Sequence, residues 1–244
     1  MKITTDALII RENNNIGESD RFVTALTRDC GVIRASVRGA RNLKSRNSTA
    51  TQLLCYSRLT LYKGREKYIV DDAEPLNVFF KVRENLDTLA LAQYFCELAA
   101  VLAPPEEPAE EALRLLLNSL HYLAEGSRPL PLLKAVTELR LLCQAGYMPA
   151  VAACAGCNAE NGGWFSPVQG VLLCDNCHGT VSAVPLSPSV LAAMRHIVYA
   201  PFERCFAFSL LEPEALALGD VAERFLLAQL GRGFNTLEFY HSIT

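Results

Sequence analysis

The sequence predicts an α+β multidomain protein: an N-terminal five-stranded β-barrel of the oligonucleotide/oligosaccharide-binding (OB) type, then an all-α helical domain with an inserted four-cysteine zinc hairpin. Three observations predict it. Residues 1–80 break into short β-rich runs punctuated by turn residues, residues 81–244 change to helical periodicity, and two Cys-x-x-Cys pairs interrupt the helical part. The boundaries expected are 1–80 for the barrel, 81–150 for the first helical part, 151–181 for the four-cysteine zinc module and 182–244 for the second helical part. The chain has 244 residues, half of them apolar, enough to bury more than one core.

In the first part, Thr5–Arg11 is an apolar run ending at the turn signal Asn13-Asn14-Asn15. Arg21–Thr27 and Val32–Arg38 are joined across Arg28-Asp29-Cys30-Gly31, a hairpin connection. Leu53–Lys63 and Arg65–Asp71 form a second pair around Gly64, with no convincing helix among the five strands. Five strands fit a partly open OB barrel, and an SH3-like barrel is the main competitor.

Period-two alternation divides two of these strands into faces. Ile33, Ala35 and Val37 oppose Arg34, Ser36 and Arg38; Cys55, Ser57, Leu59 and Leu61 oppose Tyr56, Arg58, Thr60 and Tyr62. One face suits a core, while the other interleaves aromatic rings with guanidinium groups. Unpaired bases stack on such rings and cations neutralise the phosphates between them, although a plain solvated face has the same pattern.

Charge follows the same division. The net charge is −3, yet residues 1–80 hold 13 Lys/Arg against 9 Asp/Glu and residues 81–244 hold 10 against 17. Within 21–67 there are 11 basic residues and 2 acidic ones. The connection Arg38-Gly39-Ala40-Arg41-Asn42-Leu43-Lys44-Ser45-Arg46 carries four cations and no acid, beside a basic sheet face, and suits a phosphate backbone. Candidate nucleic-acid contacts are therefore Arg34, Arg38, Arg41, Lys44, Arg46, Tyr56, Arg58, Tyr62, Lys63, Arg65 and Lys67. None supplies a base-specific code.

Asp87–Leu102 is apolar around most of its circumference, as in a helix buried among helices, and Pro104-Pro105 stops it. Glu106-Glu107-Pro108 opens the next helix, which runs through Leu113–Leu123 to Gly126. A third begins near Pro129 or Pro131 and reaches Gly146. Ser187-Pro188 is an N-cap followed by Pro at the first helical position, leading a helix to about Tyr199. Pro213–Leu230 precedes Gly231 and Gly233, and Asn235 or Thr236 caps a short final helix, Leu237–Ser242.

Cys154, Cys157, Cys174 and Cys177 have the spacing of a tetrahedral zinc site, with sixteen residues between the inner two. Gly162-Gly163, Trp164-Phe165, Ser166-Pro167 and Val171–Leu173 read as the hairpin between the knuckles. One structural Zn2+ is expected. Between Arg140 and Arg195 the chain has no Lys or Arg, and four thiolates on Zn2+ add a formal −2, so this surface repels phosphate. Cys30, Cys55, Cys96, Cys143 and Cys205 read as small core residues in a reducing compartment. Ala7–Ile10 is too short for a signal-peptide core, and Asp87, Gln93 and Glu97 argue against a membrane span over 86–103. Together these predict a cytoplasmic protein.

No catalytic constellation emerges. His121, His178, His196 and His241 are scattered, neither Cys-x-x-Cys follows the Pro of a zinc deaminase, and no Walker or dinucleotide loop occurs. The chain is read as a non-enzyme.

Asn15-Ile16-Gly17-Glu18-Ser19-Asp20, Leu26-Thr27, Gly31-Val32-Ile33, Arg38-Gly39-Ala40-Arg41, Lys44-Ser45-Arg46, Leu59–Arg65 and Ala73-Glu74 resemble the N-terminal signature of the RecO family. The four cysteines are similar to the zinc module of many members, and Phe225-Leu226 with Leu230-Gly231-Arg232 resembles the family's C-terminal helix and turn. The resemblance implies a bacterial, nucleoid-associated recombination mediator in DNA repair, in the RecFOR pathway. Such a protein binds single- and double-stranded DNA, anneals complementary strands, and helps RecR load RecA onto DNA coated by single-strand-binding protein, whose acidic tail it also binds. In one place the chain departs from the pattern: Phe234-Asn235-Thr236 stands where many members carry a basic-Ser pair. An RNA-binding or RNA-modifying zinc protein is the alternative reading.

Overall fold

The computed structural model describes residues 2–13, 21–37, 46–64 and 67–244, with the backbone alone at Arg46. These residues form two compact units, one of residues 1–125 with 239–244, the other of residues 126–238.

The first unit is built on strands β1 (Lys2–Asn13), β2 (Arg21–Thr27), β3 (Gly31–Val37), β4 (Cys55–Lys63) and β5 (Tyr68–Val78). They close into a barrel in the order β1-β2-β3-β5-β4, with β4 returning to β1. All ladders are antiparallel except β3 with β5. Closure removes the open edges a five-stranded sheet would otherwise expose. Its interior is the alternation read from the sequence: Ala7, Ile9, Val23, Ala25, Ile33, Ala35, Val37, Leu59, Leu61, Val70 and Ala73 are buried together. A short helix, α1 (Arg46–Ala50), stands between β3 and β4, where no helix was expected. Five residues carry too little periodicity to register as a helix. Thr51 Oγ1 donates to the Asn47 carbonyl at 2.5 Å and Ser57 Oγ to that of Ala50 at 2.7 Å, which fixes α1 on the barrel.

Leu8 and Leu26 are fully buried but point away from the barrel interior. The helix α2 (Leu86–Leu102) packs on β1 and β2 and is itself buried at Leu91, Tyr94, Phe95 and Leu98. Asn85, not anticipated as a cap, accepts the Asp87 N–H at its head. The helix α3 (Glu110–Glu125) starts later than expected. Glu106-Glu107-Pro108 is instead part of a connection that hydrogen-bonds to the β2–β3 hairpin, through Val32 N to Pro104 O (3.0 Å) and Ala109 N to Arg28 O (2.9 Å). This contact demands glycine at Gly31, where φ is +59° and a Cβ would lie 2.1 Å from Pro104 O.

The second unit holds α4 (Leu130–Gln144), the short strands β6 (Trp164–Ser166), β7 (Val171–Leu173) and β8 (Val184–Pro185), α5 (Pro188–Tyr199) and α6 (Glu212–Leu230). The cysteine hairpin is inserted between helices, as the sequence predicted, and gains a third strand, β8, on β6. Ser187 Oγ accepts the Val190 N–H and caps α5. Gly231 ends α6 in the left-handed region at φ +61°. The last helix, α7 (Asn235–Ile243), begins at Asn235 itself, ahead of the expected Leu237. No helix among the described residues is long and apolar enough to cross a membrane.

Candidate nucleic-acid interface and metal centre

Of the eleven candidate nucleic-acid contacts, Arg38, Arg41, Lys44 and Arg65 lie outside the described residues, as does the Arg46 side chain. The others fall in two different electrostatic settings, with Lys63 exposed at the end of β4 opposite the interior Tyr68 and the rest facing outward.

The first setting is the β4 side. Arg58 is paired across the ladder with Asp6, and its Nε donates to Asp6 Oδ1 at 3.0 Å. Arg28 reaches the other oxygen of the same carboxylate at 3.3 Å. Hydrogen bonding to Asp6, then its charge, raises the Arg58 pKa. Lys63 meets Glu106 at 2.9 Å, and bonding to Glu106, then to Tyr68, raises its pKa in the same way. Asp72 and Glu74 of β5 stand opposite Thr60 and Arg58. Tyr56 is half-buried, and loss of solvent raises its phenol pKa. The β4 cations are thus surrounded by carboxylates.

The second setting is the outer face of β2, β3 and the start of β5. Arg34 is exposed, and no carboxylate among the described residues lies within ion-pairing distance of it. Across β3, β5 and β4, Ser36, Ile69 and Tyr62 are in register, and Phe22 is the β2 partner of Ser36. Tyr62 is 54% exposed, enough of its ring to stack a base. Lys67 Nζ lies 5.7 Å from the Phe22 ring centroid. Phe22 was missed in the sequence, although alternation with the inward Val23 and Ala25 places it outside.

The candidate metal centre is in the second unit. The sulfurs of Cys154, Cys157, Cys174 and Cys177 all lie within 4.8 Å of one another, with Cys157 and Cys174 at 3.6 Å. A tetrahedron with Zn–S bonds of about 2.3 Å has edges of about 3.8 Å, so the four thiols fit a zinc-sized ion. Local backbone geometry makes each knuckle. Asn158 N donates to Cys154 O at 2.8 Å with Asn158 at φ +61°, and Cys177 and His178 N–H both donate to Cys174 O at 3.0 Å. Gly156 is needed because a Cβ there would meet Cys177 Sγ at 2.9 Å.

The thiols differ in acidity. Burial opposes ionisation of Cys154, but donors from Gly156, Cys157 and Cys174 outweigh it and bring the pKa down to about 6. Cys177, bonded to Cys174, Cys157 and Cys154, is pushed up to about 12. A cation among the four reverses that penalty by stabilising every thiolate. The five other cysteines behave as core residues: burial pushes Cys96 up to about 12 and Cys143 to about 11.

Contacts beyond the thiols brace the module. Trp164 Nε1 donates to Asp175 Oδ1 at 2.7 Å, and its ring stacks on His178 with centroids 4.2 Å apart. Arg195 of α5 donates to the carbonyls of Val151, Ala152 and Glu160 at 2.8, 2.8 and 2.9 Å. Phe165 meets Phe225 of α6 edge-on at 5.5 Å, and Gln229 donates to Pro167 O and Val168 O. Phe234, at the departure from the family's basic-Ser pair, is buried with the Arg232 guanidinium 5.0 Å over its ring.

A closed OB-like barrel followed by helices that carry a four-thiol centre defines the class of protein. Residues 1–79 match the family model described as "Recombination protein O N terminal", and residues 83–238 that described as "Recombination protein O C terminal". The chain is 31% identical to the DNA repair protein RecO of Acetivibrio thermocellus over 99% of its own length and 97% of that protein's. It is 35% identical to the RecO of Symbiobacterium thermophilum over 98% and 96%. The RecO of a Roseiflexus strain is 36% identical over 82% of this chain and 71% of its own. The chain belongs to the RecO family.

Proposed function

We propose that this chain is a non-enzymatic mediator of DNA recombination in repair, holding single- and double-stranded DNA on the barrel and annealing complementary strands. It helps a RecR partner load RecA onto DNA coated by single-strand-binding protein, whose acidic C-terminal tail it binds. The observation that supports this most directly is the outer barrel face on which Arg34 and Lys67 accompany Phe22 and Tyr62, in a chain whose relatives are named DNA repair proteins. Annealing needs no chemistry: cations that screen phosphate repulsion lower the cost of bringing two strands together. Arg38, Arg41, Lys44, Arg46 and Arg65 extend the same charge in sequence.

Zn2+ held by Cys154, Cys157, Cys174 and Cys177 acts in this reading as a closed structural ion. It folds a core-poor hairpin and keeps no open coordination position for turnover.

The decisive experiment is annealing of complementary strands coated with single-strand-binding protein, with and without RecR. ATP-independent annealing is expected. Metal-dependent turnover of RNA with no annealing would overturn the reading in favour of an RNA-directed zinc protein. Replacing Arg38, Arg41 and Lys44 together by Ala should flatten the salt dependence by up to about 0.9 log unit per lost duplex phosphate contact.

A further inference from the structure

Strand β1 carries a register shift that changes what its last residues do. Ile9 pairs with Ala25, but the next pair is Arg11 with Thr24, so Ile10 is an extra residue opposite no partner. This is a β-bulge, a feature that re-aims the side chains beyond it. Before it, Ala7 and Ile9 face the barrel interior. Unbroken alternation would send Arg11 inward with them, an unpaired guanidinium in an apolar core. Beyond the bulge the faces exchange. Arg11 is exposed, and Glu12, opposite the interior Val23, turns in. There Glu12 accepts the Leu53 N–H and pairs with Arg21 at 3.4 Å.

The exchange puts Arg11 in a row. Thr24 is the partner of Arg11 on β1 and of Arg34 on β3. Strands lie about 4.8 Å apart, so the two arginine backbones are about 10 Å apart on one face with the small Thr24 between them. The adjacent row on the same face is Asn13, Phe22, Ser36, Ile69 and Tyr62, with Lys67 beside Phe22. Beyond Tyr62 the second row continues to Lys2, which pairs with the exposed Asp71 at 2.9 Å, whereas among the described residues neither Arg11 nor Arg34 has an ion-pair partner. On β4, Arg58 and Lys63 are already ion-paired, with Asp6 and Glu106.

We propose that the β1 bulge turns Arg11 out as a phosphate-contact residue, extending the DNA-binding face of the barrel from β2–β3 onto β1, with the strand crossing Arg11 and Arg34 beside Phe22 and Tyr62. The assignment rests on the reading of the barrel as the DNA-holding part and adds to it a residue that neither motif nor alternation marks.

The test is equilibrium binding of fluorescein-labelled oligo-dT across a salt series by the wild-type full-length chain and the variants Arg11→Ala, Arg11→Lys, Arg34→Ala and Lys81→Ala. The last removes an exposed cation of the same unit that is paired with Glu125 at 3.3 Å. Arg11→Ala and Arg34→Ala should each reduce the slope of log affinity against log salt by up to about 0.7, the share of one single-strand phosphate contact. Arg11→Lys should keep the slope, and Lys81→Ala should match wild type. Because Arg11 is exposed, thermal melting should show all four variants folded. A wild-type slope in Arg11→Ala, or equal losses in Arg11→Lys and Arg11→Ala, overturns the proposal while leaving DNA binding by the barrel intact. Absence of salt-dependent binding by the wild type overturns the underlying reading instead.

Discussion

Asp6 and Arg58 face each other across the β1–β4 ladder, with Asp6 Oδ1 accepting the Arg58 Nε–H at 3.0 Å while Asp6 Oδ2 holds Arg28. One carboxylate thus ties down two of the barrel's cations. Asp6→Asn releases Arg58 and leaves Arg28 to Asp29 alone, 3.4 Å away. The expected outcome is tighter, more salt-sensitive binding of single-stranded DNA, together with a lower melting temperature because a part-buried carboxylate pair is lost. Binding isotherms at two salt concentrations check it, and unchanged affinity would show that DNA does not approach this side.

Substitutions at the thiol centre should separate stability from DNA binding. Cys157→Ser removes a ligand, and Gly156→Ala forces a methyl to within 2.9 Å of Cys177 Sγ. Both should lower the zinc content measured by atomic absorption and the melting temperature, with affinity for DNA retained while the protein is folded. Arg195→Ala, which cuts three hydrogen bonds to the module but no ligand, should keep the zinc and still melt earlier. Loss of DNA binding in a folded Cys157→Ser protein would contradict the structural role.

Lys134 of α4 lies 2.6 Å from Glu223 of α6 and 3.0 Å from Glu138, at 4% side-chain exposure. Burial alone would lower its pKa, but the two carboxylates reverse the effect and raise it. Lys134→Met removes the cation shared by the buried Glu138 and the part-buried Glu223 and should cost about 3–5 kcal/mol, read by denaturant unfolding. A raised lysine contributes fully below its ordinary value of 10.5, and the contribution fades as pH climbs through the folded value. The gap between wild type and Lys134→Met should therefore be undiminished at pH 7 and narrow in strong alkali.

Thr5 Oγ1 donates to Asp29 Oδ2 at 2.7 Å, and this bond, against the opposing effect of burial, holds the Asp29 pKa below 3.8. A depressed carboxylate stabilises above its ordinary value and loses that contribution as pH falls through the lower, folded one. Thr5→Val should thus reduce the melting temperature at pH 6, with the difference from wild type shrinking as pH falls below 3.8. Parallel curves across that range would show that the bond contributes nothing.

The thiol cluster was legible because the module is local: four cysteines, two tight turns and a hairpin lie within two dozen residues. The strands of the barrel and most helix ends were legible for the same reason, since alternation, prolines and glycines act within a few residues of themselves. Phe22 was within reach of that logic, being one residue from the inward Val23.

By itself the sequence determined the order of parts, the thiol quartet and the segregation of basic charge into the first third. Only the tertiary structure decided which cations face solvent without a partner. Arg58 meets Asp6 from 52 positions away and Lys63 meets Glu106 from 43, so neither neutralisation has a local signature. Arg11 reaches the outer face through the single unpaired Ile10, which only the register of β1 against β2 reveals. Charge pairing and strand register are set by which distant segments come together, and a chain read in order carries no direct record of that.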